Sequence, residues 1–187
     1  LDERHTSLNK DLTIGVLGIG YLGKFIANKL KSLDYNVIGY KNNVSGAKSS
    51  IPIYYKKSLK TFLKLSDIVV SVLPATKETR DLINKSFLNQ MKKKSLLINI
   101  GRGSSLNEMD LLKHIKQNNF FFASLDVFKK EPLPKNSKLW KNQNIIVTPH
   151  VAAITEVDSS INYIFSKFEQ FRTNGRIKSD VKIKNGY

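Results

Sequence analysis

The hydrophobic positions of the chain fall into two alternating patterns. Short apolar runs such as Ile68–Leu73 predict buried strands, and segments with apolar residues three or four positions apart predict helices. Leu22, Ile26, Leu30 and Leu33 form one such helical series. The predicted strands are Thr13–Leu17, Asn36–Tyr40, Ile53–Tyr55, Ile68–Leu73, Leu96–Ile100, Phe120–Leu125 and Ile145–Thr148. The predicted helices are Gly20–Leu33, Ser58–Leu65, Lys85–Met91, Asn107–Asn118 and Glu156–Thr173, with Ser58 and Asn107 as N-terminal caps.

This alternation of strands and helices predicts an α/β fold, a Rossmann-type doubly wound sheet of parallel strands. Ligands of such sheets bind beyond the carboxyl ends of the strands. We predict a linker or the remnant of a missing segment at 1–11, a dinucleotide-binding domain at 12–153, and a C-terminal helix and tail at 154–187. The segments expected at the ligand-binding edge are Gly18–Gly23, Tyr40–Asn43, Leu73–Thr79, Ile100–Gly103, Asp126–Pro132 and Pro149–Ala153.

The first predicted strand leads into a glycine-rich turn, Gly18-Ile19-Gly20-Tyr21-Leu22-Gly23. In dinucleotide sites with this spacing, the first glycine allows a tight turn and the second lets the backbone approach a pyrophosphate. The third lets the helix pack closely on the strand, and the phosphates accept hydrogen bonds from the N–H groups at the helix start. Glycines in a bare turn are the alternative, but the strand before and the helix after favour a cofactor site.

The composition suits a soluble globular protein, and we expect it in the cytoplasm. Of 187 residues, 41% are hydrophobic, and no apolar run approaches the roughly 20 residues that span a bilayer. There is no cysteine, which excludes disulfides, thiolate metal ligands and a cysteine nucleophile, and we predict no metal site. The net charge of +16 would suit a nucleic acid or an acidic membrane. Because the lysines are scattered in short groups, we favour a lysine-rich surface with no specific nucleic acid and no membrane as partner.

The residue that ends the second predicted strand bears on the choice of nicotinamide cofactor. NAD sites carry a carboxylate there, which accepts hydrogen bonds from the ribose. In this chain the strand is followed by Lys41-Asn42-Asn43, and a lysine favours the additional phosphate of NADP through a charge-assisted contact. We therefore predict NADP, with NAD still possible if Lys41 only extends into water.

Three charged residues, Arg102, Glu131 and His150, follow three different predicted strands. A nicotinamide enzyme that reduces a 2-oxo acid needs one group for the substrate carboxylate and one acid for the new alkoxide. The forked guanidinium of Arg102 suits the carboxylate. Histidine titrates near neutrality, so His150 suits the acid, and Glu131 beside it would favour the imidazolium. Singly, each has a structural alternative: a surface or phosphate-binding arginine, a solvated carboxylate, and a turn histidine.

Longer motifs make the sequence resemble the D-isomer-specific 2-hydroxyacid dehydrogenases, and within them the glyoxylate/hydroxypyruvate reductase A type. The resemblance extends from about Leu12 to Tyr187. The motifs that carry it are Gly18–Gly23, Leu73–Thr79, Asn99–Gly103, Leu125–Phe128, Glu131–Pro134, Leu139–Trp140, Thr148–Thr155 and Gly186–Tyr187.

The resemblance implies an NAD(P)H-dependent reductase of small 2-oxo acids, such as glyoxylate or hydroxypyruvate, to 2-hydroxy acids. Arg102 would bind the substrate, and His150, paired with Glu131, would be the general acid. Asp126 would contact the nicotinamide amide; a strand-end cap is its structural alternative. The full set of predicted cofactor-binding residues is Gly18, Gly20, Tyr21, Leu22, Gly23, Lys41, Asn42, Leu73, Pro74, Thr79, Ile100, Arg102, Asp126, His150 and Ala152.

The chain departs from the family pattern in two ways. Lys41 stands where the family usually has aspartate, which agrees with the NADP preference of the reductase A type. Family members also carry a long segment before the glycine turn, which builds most of a substrate-binding domain, whereas only Leu1–Asp11 precede it here. We therefore expect a fragment in which the substrate-binding domain is largely absent.

This expectation has two consequences. The apolar stripe of the last helix would lack part of its packing partner and would favour self-association, and the family implies a homodimer. The alternative to a reductase is a non-catalytic dinucleotide-binding module, or a truncated fragment without a complete active site. The members of the stripe are Ile161, Ile164, Phe165, Phe168 and Phe171.

Overall fold

A computed structural model describes residues 9–42, 49–118, 121–153 and 155–177 of the chain. The chain divides after Pro149 into two compact units. Strands of the first unit are β1 Thr13–Leu17, β2 Asn36–Lys41, β3 Ile53–Tyr55, β4 Ile68–Ser71, β5 Leu96–Asn99, β6 Phe122–Leu125 and β7 Ile145–Val147. Its helices are α1 Tyr21–Lys31, α2 Leu59–Leu65, α3 Lys85–Leu88 and α4 Glu108–Gln117, and the second unit contains α5 Val157–Asn174.

The seven strands form one parallel sheet in the order β3-β2-β1-β4-β5-β6-β7. The chain builds outward from β1 to β3, then returns to the other side of β1 and builds outward again from β4 to β7. The reversal of direction lies between β1 and β4, and ligands of doubly wound sheets bind outside the carboxyl ends of the strands at such a point. The predicted α/β fold is therefore confirmed, and its expected binding crevice adjoins the glycine turn after β1.

Neighbouring side chains of each central strand face opposite layers of helices. Val16 and Val37 belong to the apolar cluster that contains Ala27 of α1. Leu17 and Ile38 belong to the larger cluster on the other side, together with α2, α3 and α4. Because strand residues alternate between faces, the short runs of β-branched and leucine residues serve both cores at once. This explains why the strands read as continuous apolar runs in the sequence.

One predicted helix cap is confirmed, and two other predicted helix boundaries are wrong. Asn107 caps α4, since its side chain accepts from the N–H of Asp110. By contrast, Ser58 makes no side-chain capping bond, because it ends a 3-10 turn that leads directly into α2. The helix α1 ends at Lys31, so Leu33 lies outside it and is exposed; Asp34 then takes a left-handed φ of 63°.

The helix α5 of the second unit carries an exposed apolar stripe. All five predicted members are between 44% and 65% exposed, and no residue of the helix is buried. The expectation that this stripe is exposed is therefore confirmed. No helix in the described part of the chain is long and apolar enough to cross a membrane. The predicted positions Asn43, Phe120, Ile154, Gly186 and Tyr187 lie outside the described residues.

His114 on α4 is a partly buried histidine of the first unit. Its ring packs edge-on against Phe121 at 4.7 Å between centroids, and its Nδ1 lies 3.3 Å from Oδ1 of Asn89. The Nε2 atom is buried and has no hydrogen-bond partner among the described residues. Burial penalises the charged imidazolium and lowers the pKa of His114 below its usual value.

The lowered pKa of His114 predicts an acid-sensitive fold. As pH falls through the ordinary histidine pKa, the unfolded chain takes up the proton first, so the free energy of unfolding decreases. We expect a loss below about 1 kcal/mol between about pH 7.5 and about pH 5.5, because the ring is only partly buried. Urea unfolding of wild type and His114→Phe at both pH values measures it. Equal pH dependence in the two proteins would contradict the assignment.

Candidate functional site

The glycine turn connects β1 to α1 at the carboxyl edge of the sheet. Gly18 has a φ of 104°, which favours glycine, and its N–H donates to the carbonyl of Tyr40 at 2.9 Å. A Cβ on Gly23 would lie 2.0 Å from the carbonyl oxygen of Gly18, so the helix packs directly on the turn. A Cβ on Gly20 would meet no described residue within 4 Å. The first glycine is therefore required by its positive φ and the third by packing, whereas the second opens onto space that no described residue fills.

That free space lies at the start of α1. The first helical hydrogen bond of this turn runs from the N–H of Lys24 to the carbonyl of Gly20 at 3.0 Å. The N–H groups before Lys24 are those that a helix leaves without an intrahelical acceptor, and they form the positive end of the helix dipole. No acidic residue stands in the first turn, and Tyr21 and Leu22 are exposed. The turn therefore fits the pyrophosphate of a dinucleotide, which needs backbone donors and close access.

The loop after β4 lies directly beside this turn. An added Cβ on Gly18 would be 3.3 Å from the carbonyl oxygen of Val72. Leu73 is buried, Pro74 is partly buried, and the buried hydroxyl of Thr79 donates to the carbonyl of Pro74 at 2.5 Å. The threonine therefore fixes the shape of the loop that was predicted to line the cofactor.

Arg102 lies between two glycines that pack against neighbouring loops. A Cβ on Gly101 would be 2.6 Å from the backbone nitrogen of Leu73, and one on Gly103 would be 1.9 Å from the carbonyl carbon of Phe128. Ile100, at the start of this loop, is partly buried. The loop Ile100–Gly103 is thus held between the ends of β4 and β6. Backbone contacts therefore fix where Arg102 stands along the edge.

The side chain of Arg102 is exposed and lies against the backbone of the preceding residue. Its Nη1 donates to the carbonyl of Gly101 at 2.8 Å. The carbonyl of Arg102 accepts from both the N–H and the hydroxyl of Ser105, at 3.1 and 2.7 Å. The backbone of this residue is therefore anchored while the guanidinium reaches the surface.

Glu131 belongs to the loop after β6. One of its carboxylate oxygens accepts from the N–H of Phe128 at 2.8 Å, and the residue is exposed. Lys129 in the same loop donates its N–H to Glu108 at 2.9 Å and forms an ion pair with Asp81 at 2.5 Å. These contacts hold the loop of Glu131 against its surroundings. Since Phe128 also contacts Gly103, the loops of Arg102 and Glu131 are neighbours.

Asp126 is buried at the end of β6, only 3% exposed. Its N–H donates to the carbonyl of Asn99 at 3.0 Å, and its carboxylate accepts from the hydroxyl of Thr148 at the end of β7. Burial of a carboxylate requires hydrogen-bond donors, and Thr148 supplies one. The structural alternative of a strand-end anchor is therefore present in the structure, and the predicted contact with a nicotinamide remains a prediction.

Lys41 is the last residue of β2 and lies beside β3. Its Nζ is 5.7 Å from the centroid of the Tyr55 ring, within the range of cation–π attraction. The side chain of the exposed Asn42 accepts from the hydroxyl of Tyr40 at 3.4 Å. Lys41 is therefore held beside an aromatic ring, and the simple alternative of a lysine that only meets water does not describe it.

His150 is the first residue of the second unit. Its side chain is exposed, and its φ of 57° lies in the left-handed region, which is uncommon for residues other than glycine. Ala152, two residues on, is also exposed. Asp34, Lys56 and Asp81 share this backbone region among the described residues, so the catalytic role of His150 stays a prediction.

Comparison with known proteins identifies the family. The sequence profile for the D-isomer specific 2-hydroxyacid dehydrogenase NAD binding domain matches residues 2–152. The chain belongs to this family. The family resemblance seen in the motifs is thereby confirmed.

Similar dehydrogenases of the family include glyoxylate/hydroxypyruvate reductases. The chain is 38% identical over 178 residues to glyoxylate/hydroxypyruvate reductase A of Photorhabdus laumondii subsp. laumondii, which covers 95% of this chain and 57% of that protein. It is 32% identical over 178 residues to the enzyme of the same name from Escherichia fergusonii. The chain thus spans a little over half the length of the curated relatives that it matches.

Solved structures of the family have the same fold. The NADPH-dependent glyoxylate/hydroxypyruvate reductase of Sinorhizobium meliloti, in complex with NADP and sulfate, has a TM-score of 0.90 at 31% identity, covering 97% of this chain and 58% of that one. A D-isomer specific 2-hydroxyacid dehydrogenase from Xanthobacter autotrophicus Py2, in complex with NADPH and MES, has a TM-score of 0.91 at 32% identity. It covers 98% of this chain and 76% of the other.

Within the first unit, the structure brings most of the predicted dehydrogenase residues to one edge of the sheet. The glycine turn, the Leu73 loop, Arg102 and the Glu131 loop follow one another through backbone contacts. His150 and Ala152 belong to the second unit. Sequence reasoning gave no role to Tyr55, Thr148 or Phe128, which contact Lys41, Asp126 and Glu131 respectively. Their positions at strand ends next to predicted site residues were the available signal.

Proposed function

We propose that this chain carries the cofactor site and catalytic side chains of an NADPH-dependent reductase of small 2-oxo acids. The observation that carries the proposal is the row of packed loops at the reversal point of the sheet. There the open turn at Gly20 adjoins the Leu73 loop, and the Leu73 loop adjoins Arg102. A phosphate-accepting turn and a carboxylate-binding arginine at one edge suit a nicotinamide cofactor beside an anionic substrate.

The preference for NADP over NAD rests on Lys41. No carboxylate occupies the end of β2, where NAD sites place one, and a lysine offers a charged donor for an additional phosphate. The related structures from Sinorhizobium meliloti and Xanthobacter autotrophicus Py2 contain NADP and NADPH. Both facts support NADP as the cofactor, with the turn at Gly18–Gly23 receiving its pyrophosphate.

The proposed roles of the charged residues follow from the reaction. When bound, reduced nicotinamide supplies the hydride that adds to the keto carbon. Arg102 would hold the substrate carboxylate through paired hydrogen bonds, and His150 would donate the proton to the carbonyl oxygen. Glu131 would favour the protonated imidazole by its charge, and the bond from Phe128 to its carboxylate limits its freedom. Asp126 would accept from the nicotinamide amide.

The function is tested by mixing the protein, as its gene encodes it, with NADPH and either glyoxylate or hydroxypyruvate. A fall in NADPH absorbance that requires the 2-oxo acid is the expected result. NADPH binding without oxidation would favour the alternative, a dinucleotide-binding module or a fragment without a complete active site. Absence of NADPH binding would contradict both.

We also propose that the protein forms a homodimer, as the family resemblance implies. The exposed Ile161–Phe171 stripe on α5 supports self-association, because exposed apolar patches of this kind mark interaction surfaces. Sedimentation velocity across a range of concentrations tests it, and a monomer at all concentrations would refute it. The expected cytoplasmic location remains a prediction.

A further inference from the structure

The ends of β2 and β3 form a small basic surface next to the glycine turn. The two strands are parallel, and Lys41 is the partner of Tyr55 in the last pair of the ladder. The ammonium group of Lys41 lies 5.7 Å from the centroid of the Tyr55 ring. An aromatic face at this distance restricts a lysine that would otherwise sample many rotamers.

A hydrogen bond from a β2 side chain holds the backbone that follows Tyr55. The Tyr40 hydroxyl shares its one proton between the Asn42 side chain at 3.4 Å and the carbonyl oxygen of Lys56 at 3.2 Å, and its ring packs against Phe62 at 5.6 Å between centroids. Burial raises the pKa of Tyr40, which further disfavours loss of the hydroxyl proton. Lys56 therefore begins from a fixed backbone position at the same edge as Lys41.

The backbone of Lys56 adopts a conformation that is unfavourable for lysine. Its φ is 36°, in the left-handed region, where glycine would carry no steric cost. The hydrogen bond from Tyr40 to the carbonyl of Lys56 helps to maintain this backbone conformation. Lys56 directly follows Tyr55 at the end of β3 and is exposed, so a second positively charged residue stands at this edge of the sheet.

We propose that the end of β3 completes the subsite for the 2′-phosphate of NADP. Tyr55 is a positioning residue that holds the ammonium of Lys41, and Lys56 adds a second cation for the same phosphate. The inference rests on the proposed function, since it concerns the cofactor of that reaction. It predicts that the preference for a 2′-phosphate is shared between two strands.

Two adenosine nucleotides isolate this subsite from the rest of the cofactor. The nucleotide 2′,5′-ADP carries the additional phosphate, and 5′-AMP lacks it. Isothermal titration of both into the whole protein measures binding without catalysis. The wild-type protein is expected to bind 2′,5′-ADP more tightly than 5′-AMP.

Variants of Tyr55 test the positioning role. Tyr55→Leu removes the aromatic face. It is expected to weaken the binding of 2′,5′-ADP by about two- to fivefold, which corresponds to the energies of exposed cation–π contacts. Binding of 5′-AMP to this variant is expected to stay unchanged. The Tyr55→Phe variant keeps an aromatic ring and is expected to retain the affinity for 2′,5′-ADP. Tyr35→Leu, which alters a tyrosine just before β2 at the opposite edge of the sheet, is the matched control.

Variants of two left-handed residues test the second cation. Lys56→Gly removes the charge and the unfavourable φ together, so the fold is retained while 2′,5′-ADP binds about three- to tenfold more weakly. Asp34→Gly relieves a comparable φ of 63° away from this edge and is expected to leave both nucleotide affinities unchanged.

The outcomes separate this inference from the proposed function. If wild type binds neither nucleotide, or binds both equally, the proposed NADP-dependent function fails and the subsite fails with it. If wild type prefers 2′,5′-ADP but the Tyr55→Leu and Lys56→Gly proteins keep that preference in full, the subsite alone is refuted. Equal weakening of both nucleotides in these variants would also refute it.

Discussion

Gly103→Ala is expected to destabilise the first unit by about 3 kcal/mol or more. The new Cβ would lie 1.9 Å from the carbonyl carbon and 2.0 Å from the carbonyl oxygen of Phe128. Neither loop can move easily, because Phe128 is buried and the carbonyl of Arg102 is bonded to Ser105. The clash is with backbone atoms, so no change of rotamer relieves it. Urea unfolding followed by circular dichroism measures the loss.

The matched control is Gly20→Ala in the same assay. A Cβ there meets no described residue within 4 Å, and the residue has a φ of −87°, which alanine adopts without strain. The free energy of unfolding should therefore change by less than about 1 kcal/mol. The same methyl group would occupy the space where the proposed pyrophosphate approaches, so NADPH should bind more weakly. A Gly103→Ala protein with wild-type stability would contradict the packing described for the Arg102 loop.

His150→Asn is expected to lower kcat on the order of 10²- to 10⁴-fold in the protein as encoded, the range for loss of a general acid. Asparagine is chosen because it tolerates the left-handed φ of 57° that His150 adopts, so the backbone should be preserved. The amide cannot donate a proton as an imidazolium does. NADPH affinity should change much less than kcat. Steady-state kinetics with glyoxylate and a binding titration measure the two effects.

The pH profile distinguishes acid catalysis from a structural role for His150. In wild type, kcat should fall at alkaline pH as the proton donor is lost, and this limb should be missing in His150→Asn. Unchanged turnover in the variant would refute the proposed role. A lower kcat with the alkaline limb retained would point to a structural contribution and another acid.

The fold could be predicted from the sequence because local patterns were strong and agreed with each other. The run Thr13–Leu17 became β1 with the predicted bounds, and Asn107 caps α4 through its side chain. The parallel sheet followed from the alternation of strands and helices, for which right-handed crossovers leave few arrangements. Ser58 failed as a cap because its backbone already belongs to a 3-10 turn, which side-chain identity alone does not reveal.

The site was predictable only in part. The positions of Arg102 and Glu131 at strand ends follow from topology, but the contact that makes their loops neighbours depends on the absence of a side chain at Gly103. The ring of Tyr55 beside Lys41 depends on the register of β2 against β3, which the sequence does not specify. The left-handed backbone at His150 is likewise set by its surroundings, since no local sequence rule demands it.

The glycine positions differ in what a second mutation could repair. A methyl group on Gly15 would meet the side chains of Ser66 and Phe62, and smaller residues there could make room. A methyl group on Gly103 or Gly101 would meet main-chain atoms of Phe128 or Leu73, and every amino acid shares those atoms. Genetic suppressors should therefore be recoverable for substitutions at Gly15 and very rare for the two glycines that flank Arg102. The edge of the sheet that carries the proposed chemistry would then tolerate less evolutionary drift than the core beneath it.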